Sequence, residues 1–362
     1  WRPVDRVLLR GSWSDAFRAP NLITLNESFI ARAGTRNDWV CFYAADQGGL
    51  DPDDFSDCDY SVQRQAEGSK TLKPEKSTNT SIGIVFEPID NLTLTLDYWS
   101  IEKKDTIGLI GRENQIYYDL ILRLAEGTGG ATIADLSFCD TVVGNTAVTR
   151  YDSDDFNDAE NQSFLDAGLC PIGEPETVLE TYLNLDTRII EGHDVGVYYD
   201  FDTGIGSFSF RYNGSFYDKY EQEDSSPIST AIADAKAADS TLIYPIIGIG
   251  DLLRIDGNQK DRQSASLSWR RNDWGASVSG FRVGSFFETL GNEDRWYIPS
   301  MTTYNAKVDY SFDVSDVDMR VRLGVNNFTD ERAPLSDSYF GYFSDAHRDL
   351  GIYYYVDLRA DF

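Results

Sequence analysis

The sequence predicts an all-β protein: an antiparallel, up-and-down transmembrane β-barrel to which this chain contributes about ten strands. Three observations lead there. Apolar and polar residues alternate with period two in segments of about ten residues, and short turns alternate strictly with long polar segments. No stretch approaches the roughly 18 to 20 uninterrupted apolar residues of a membrane-spanning helix. A barrel satisfies all three, because its strands show lipid only every second side chain and so keep the mean hydropathy low, here −0.38. Tyr, Phe and Trp make up 13 % of the chain, which suits the two interfacial girdles of such a barrel and also suits an aromatic-rich soluble sandwich.

In chain order, Val7, Leu9 and Trp13 share one face, with Arg10, Ser12 and Ser14 on the other. Leu92, Leu94, Leu96 and Tyr98 alternate with Thr93, Thr95, Asp97 and Trp99. Phe208, Phe210, Tyr212 and Phe216 oppose Ser209, Arg211, Asn213 and Ser215. Tyr304, Ala306, Val308, Tyr310 and Phe312 oppose Asn305, Lys307, Asp309 and Ser311; Met319, Val321, Leu323 and Val325 oppose Arg320, Arg322 and Asn326. The last segment alternates from Ile352 to Phe362, with Tyr354, Val356, Leu358 and Ala360 on the apolar face. Any half-buried antiparallel sheet alternates in this way. Charges in mid-strand, all on the polar face, point to a second face that meets water or a polar filling.

Short turns fall at 87–91, 202–204, 271–273 and 313–316, and the long polar segments between them at 18–77, 101–181, 218–261, 284–300 and 327–347. Structureless connections of that length would be abnormal inside a compact soluble domain. They are the ordinary pattern of an outer-membrane barrel, which has short periplasmic turns and long extracellular loops.

Charge and cysteines narrow the function classes. A net charge of −28 leaves nothing to neutralise phosphates and argues against nucleic acid. The four cysteines form two local pairs in polar stretches, Cys41 with Cys58 and Cys139 with Cys170. Buried cytosolic thiols would sit in apolar runs, and zinc ligands would favour tighter spacing with His nearby. Two loop disulfides in an oxidising compartment fit best. The chain starts at Trp1 without a Met, a basic n-region or an apolar h-region, as expected of a fragment.

Four motifs then carry a family resemblance. Arg10–Pro20 resembles the S-x-x-F-R-A-P strand end of TonB-dependent receptors, and Leu72–Ser77 resembles their L-K-P-E-x-S strand start. Glu191-Gly192-His193-Asp194 is similar to their x-G-hydrophobic-acidic start of another strand, with His193 in the apolar place, where it reads as an interface residue. Asn326–Glu331 resembles N-L-F-D-x-x, and Phe362 stands where the family has its terminal aromatic assembly signal. The resemblance implies the C-terminal part of a 22-stranded barrel, with the plug domain and earlier strands outside residues 1–362. It also implies residence in the outer membrane of a Gram-negative bacterium, against lipid and lipopolysaccharide. Further implied partners are the barrel-assembly machinery and, through an N-terminal TonB box, the TonB–ExbB–ExbD complex. Alone, such a segment should neither assemble nor transport.

The implied function is capture of a scarce ligand by the loops, followed by TonB-coupled import. Ferric siderophore, oligosaccharide, cobalamin and peptide all stay open. The alternative is a self-contained ten-stranded barrel acting as a surface enzyme or adhesin. No catalytic residue or cofactor is expected; His347, beside Arg348 and Asp349, would need a partner within hydrogen-bond reach to act as a base. Loop aromatics Trp39, Phe42, Tyr43, Tyr117, Tyr118, Tyr339, Phe340, Tyr342 and Phe343 either stack on a ligand or pack the loops together. The acidic runs holding Asp53, Asp54 and Asp57, and Asp152 and Asp154, are either calcium ligands or solvated loop. Neither run has the Gly and terminal Glu of an EF-hand.

Overall fold

A computed structural model describes residues 1–361 other than 28–29, 51–57, 129–130, 135, 154–156, 290–294, 316 and 338–340. Ten long strands run through it: β1 (Val7–Arg18), β2 (Glu75–Ile89), β3 (Leu92–Lys104), β4 (Arg188–Thr203), β5 (Gly206–Gln222), β6 (Asp261–Arg271), β7 (Trp274–Val283), β8 (Met301–Val314), β9 (Val317–Asn326) and β10 (Tyr353–Asp361). Each pairs antiparallel with its sequence neighbours, giving one meandering sheet. Its eleventh member is the short strand Gly250–Asp251, which pairs with the end of β5.

All the tight turns lie at one end. They join β2 to β3, β4 to β5, β6 to β7 and β8 to β9, with Asn91, Asn272 and Ser315 at positive φ in three of them. Asn tolerates that left-handed conformation better than most residues, which is why it serves such turns. The connections 19–74, 105–187, 223–260, 284–300 and 327–352 all lie at the other end. We call them loops 1 to 5.

The register shows why alternation was legible. One row across the sheet reads Ile89, Leu92, Tyr199, Phe210, Leu267, Val278, Ala306, Val325 and Tyr354, apolar or aromatic from β2 to β10. A row on the opposite face reads Ser207, Arg270, Gly275, Asp309, Arg322 and Asp357. Cross-strand ion pairs lie along that face, among them Arg211–Asp200 at 2.7 Å and Arg270–Asp309 at 3.3 Å. All ten strands, of 9 to 17 residues, meet or nearly meet the 9 to 11 that cross a bilayer when tilted.

The apolar face is bare. Ile82 is 65 % exposed, Val356 73 % and Leu358 63 %. In water a patch of this extent would be an aggregation liability, so it calls for an apolar surrounding. Neither buried hydrophobic cluster draws a single residue from the ten strands; both lie in the loops. This corrects the reading of the loops as long unstructured polar segments.

Two of the family-like motifs meet in space. Arg18, from F-R-A-P, is the register partner of Glu75, from L-K-P-E, and their side chains pair at 2.5 Å. Glu75 is 2 % exposed and also accepts from the Ile107 N–H at 2.8 Å, so it anchors the start of loop 2. Gly192 marks a β-bulge between β4 and β5, where a Cβ would stand 2.3 Å from the Phe216 carbonyl and 2.7 Å from the Trp99 ring. Asn327 turns the chain out of β9: its side chain accepts from the Glu331 N–H at 3.0 Å and donates to the Glu331 carbonyl at 2.8 Å.

β1 and β10 end the sheet and do not pair with one another among the described residues. A self-contained ten-stranded barrel would need that pairing. The last strand starts at Tyr353, one residue after the sequence places it, and Phe362 lies outside the described residues.

Candidate functional site: the loop layer and its cavity

Loops 1 and 2 fold into one unit. A four-stranded sheet takes Ile30–Asn37 and Asp59–Glu67 from loop 1, and Pro175–Thr181 and Val148–Arg150 from loop 2. Against it pack α1 (Trp39–Gly48), α2 (Arg112–Glu126) and α3 (Asp158–Asp166), joined by α4 (Pro227–Ala238) of loop 3. Local sequence explains the helix ends. Asp38 caps α1 and Gly49 ends it at φ 85°, Asn157 and Glu160 form a capping box on α3, and Ser226 with Pro227 starts α4.

Polar groups tie the unit together from inside. Arg150, 2 % exposed, donates twice to Asp38 of loop 1 and once to Asp119 of α2, each at 2.7 Å. Asp119 also accepts from Arg123 at 3.0 Å and from the Asn145 N–H at 2.8 Å. Loop 3 enters through Tyr244, which stacks on Trp39 at 5.1 Å, lies edge-on to Tyr117 at 5.8 Å and donates to Asp46 at 3.2 Å. Burial pushes the Tyr244 hydroxyl far up, with the Asp46 charge adding to it, so it stays a donor. The Asn114 side chain exchanges hydrogen bonds with the backbone of Ile247, again joining loops 2 and 3.

Loops 4 and 5 make a smaller cluster of Phe286, Ile298 and Phe343. Loop 3 reaches it where the Asp256 N–H donates to the Phe287 carbonyl at 2.8 Å. Glu288, 2 % exposed, accepts from the Ser336 hydroxyl at 3.0 Å and the Asp337 N–H at 2.8 Å.

A cavity of about 380 Å³ lies where the two clusters meet, and all five loops wall it. Loop 1 gives Thr35, Arg36, Asn37 and Trp39, and loop 2 gives Glu113. Pro245, Ile247 and Asp256 to Asn258 come from loop 3, Glu288 and Thr289 from loop 4, and Phe343 and Asp345 from loop 5. Arg36 and Glu113 pair at 2.5 Å. Asp256 accepts from the Thr289 N–H at 2.8 Å and from its hydroxyl at 3.0 Å; burial pushes its carboxyl up against those two bonds. The lining therefore offers an aromatic and apolar wall, a set of carboxylates and amide groups. That combination suits a small polar ligand better than a reaction.

The residues expected to touch a ligand divide sharply. Trp39, Tyr43 and Tyr117 are at most 4 % exposed and belong to the loop core, as the packing alternative has it. Phe42 and Tyr118 pack on that core from its rim. Trp39 and Phe343 border the cavity, and Tyr342 is half-buried beside it in sequence. Tyr339, Phe340, Asp53, Asp54, Asp57 and Asp154 fall outside the described residues. Asp152 is exposed, and no group of three metal-capable side chains occurs among the described residues. Both disulfides form as paired by the sequence, Cys41–Cys58 within loop 1 and Cys139–Cys170 within loop 2. His193 stacks on Phe216 at 5.2 Å and meets Asp218 at 3.0 Å. His347 is buried against Phe286. Arg36, Glu113, Asp256, Asn258 and Glu288 were invisible as site residues, because nothing distinguishes them from the other polar residues of the loops.

Among known proteins, the sequence matches the family model described as TonB dependent receptor-like, beta-barrel, over residues 1–328. Comparison with curated proteins gave no match. The siderophore receptor PirA of Acinetobacter baumannii is similar in structure, with a TM-score of 0.54 and 16 % identity over 99 % of this chain and 39 % of that one. A mutant of the ferric enterobactin receptor PfeA of Pseudomonas aeruginosa, solved with enterobactin, gives a TM-score of 0.54 and 14 % identity over 99 % of this chain and 39 % of that one. At these identities the likeness is one of fold, and the chain spans about two fifths of the length of the solved receptors it matches. With its strand order, its one-sided loops and its motifs in sequence, the chain belongs to the TonB-dependent receptor β-barrel family.

Proposed function

We propose that the chain is the C-terminal part of an outer-membrane receptor that captures a small ligand in the five-loop cavity and imports it by TonB-coupled transport. On this reading the sheet is completed to 22 strands by chain beyond these residues, around a plug. Its apolar face meets lipid and lipopolysaccharide, and its polar face meets the lumen. The TonB–ExbB–ExbD complex acts through the N-terminal part, and the barrel-assembly machinery reads Phe362. The observation that carries the reading is the convergence of five loops, from one end of one sheet, on a single cavity. Loops tied by disulfides and a buried ion network are pre-organised, so little ordering cost opposes ligand binding. The solved relatives named as siderophore receptors support a chelate as one candidate ligand.

The test uses the full-length receptor in its host membrane and a panel of labelled ferric siderophores, cobalamin, oligosaccharides and peptides. Thr35 is exposed at the cavity, and no side-chain hydrogen bond of its own holds it among the described residues. Thr35→Trp should therefore block the cavity while leaving assembly intact. Accumulation of one ligand should be abolished by Thr35→Trp and by a protonophore, while binding survives the protonophore alone. Accumulation insensitive to both treatments would overturn the proposal.

A further inference from the structure

The charge of this protein is not spread along the chain. Of its 60 Asp and Glu and 32 Lys and Arg, the ten strands, their turns and the chain ends hold 21 and 18, leaving 39 and 14 to the five loops. The loops thus carry −25 of the −28, and the rest of the chain is close to neutral. The cavity follows the loops. Among its described lining residues the one cation is Arg36, which pairs with Glu113 at 2.5 Å; Asp256, Glu288 and Asp345 lie around the same space. Trp39 and Phe343 supply low-dielectric walls, 1 % and 3 % exposed. Carboxylates beside such walls act over a shorter, less screened path than the same charges in open water.

We infer that the cavity selects ligands carrying net positive charge and rejects trianionic chelates of the ferric catecholate kind. This rests on the proposed receptor function and adds the chemical class of its ligand. A trianion would meet like charge both on approach to the loop layer and within the cavity, with Arg36 already neutralised. A cation is drawn in by the loops as a whole and by Asp256 and Asp345 in particular.

The test uses the full-length receptor in detergent at pH 8 and two ferric chelates of opposite charge. Ferric enterobactin is the trianion; a ferric trihydroxamate with one free ammonium group is the monocation. The monocation should bind at least about tenfold tighter, weaken as salt rises, and weaken about tenfold in the double variant Asp256→Asn, Asp345→Asn. A trianion that binds equally or more tightly, or that gains from the double variant, overturns the inference and leaves the receptor reading standing.

A second measurement reads the cavity's potential without any ligand. Among the described residues every cysteine is in a disulfide, so Thr35→Cys supplies one reactive thiol at the cavity. Its labelling rate with a trimethylammonium methanethiosulfonate, divided by that with the sulfonate analogue, is compared with the same ratio for Gly204→Cys on a tight turn. A higher ratio at the cavity supports the inference even where neither chelate binds. An equal or lower ratio overturns it.

Discussion

Replacing Arg150 by Met should unfasten loops 1 and 2 from each other. The guanidinium is 2 % exposed and makes three bonds of 2.7 Å, two to Asp38 and one to Asp119, with a fourth to the Gly173 carbonyl at 3.1 Å. The two carboxylates do not suffer alike. Asp119 keeps Arg123 at 3.0 Å and the Asn145 N–H at 2.8 Å, whereas among the described residues Asp38 keeps the Val40 N–H at 3.1 Å. Asp38 is itself 2 % exposed, so its charge would be left buried without a counter-charge in contact. Breaking one side of a buried pair costs about 3–5 kcal/mol. At about 1.4 kcal/mol per decade, amide exchange across α1 and α2 should speed up by about two to three and a half powers of ten, up to the limit set by the stability of the loop unit itself. Hydrogen exchange on the assembled receptor reads this directly, with the strand amides as an internal reference. Adding Asp38→Asn to Arg150→Met keeps a helix cap and removes the stranded charge, so it should restore most of the protection. A single-variant change under about tenfold, or no recovery in the double variant, would refute the assignment of this network as the tie between loops 1 and 2.

The disulfides, the two faces of the sheet and His347 each give a further expected outcome. Mapping of unreduced peptides should find Cys41–Cys58 and Cys139–Cys170, and opening them should cost the loop unit at most about 3 kcal/mol for the span of 17 residues and about 3.7 kcal/mol for that of 31; crossed links would contradict the pairing. Arg placed mid-strand at Leu94, Phe210 or Val308 should cost about 2–4 kcal/mol in folding into lipid vesicles, against little at Lys307; equal costs on both faces would refute a lipid-facing row. His347 is 3 % exposed, and burial pushes its pKa below the ordinary 6.5, with a hydrogen bond to the Phe343 backbone opposing and the Arg262 charge adding. Between the two pKa values the unfolded loop binds a proton that the folded one does not. The packing of Phe286 and Phe343 should therefore be fully held above about pH 6.5 and weaken as pH falls, by no more than about 1.4 kcal/mol per pH unit. Exchange at loops 4 and 5 that is flat from pH 7.5 to 5, or that keeps its slope in His347→Phe, would count against it.

The sheet was legible because its physics is local. Two faces in two media impose period two on every strand, so Leu92 to Tyr98 and Tyr304 to Phe312 declare their faces one residue at a time. Turns declare themselves too, since Asn91 and Asn272 sit where positive φ is needed. The motif pair at Arg18 and Glu75 was readable as two separate resemblances, but their direct contact was not. Nothing in either segment says that 57 residues later the chain returns to the partner position.

The loops were illegible for the opposite reason. Their core is assembled from short pieces, such as Trp39 to Ala45 from loop 1, Ile116 to Leu124 from loop 2 and Ile232 to Tyr244 from loop 3. Each piece sits in polar sequence, and α1 has no sided pattern: Trp39, Val40, Cys41, Tyr43, Ala44 and Ala45 are all buried, and its exposed residues, Asp46 and Gln47, are confined to the last turn, so no periodic signal arises. Only α2 alternates in the helical sense, with Ile116, Leu120 and Leu124 buried in step. The same dispersal hid the cavity. Arg36 and Glu113 are 77 residues apart, and Asp256 and Glu288 lie in different loops again. Aromatic residues were the natural candidates because they bury most area per side chain, and that property is what the loop core uses in Trp39, Tyr117 and Tyr244. In a membrane barrel the bilayer takes the place of the sheet's core, so the chain's aromatic and aliphatic loop residues are free to build a second one in water. On the proposed function, the ligand chemistry then falls to the polar residues that line the gap between the loop clusters.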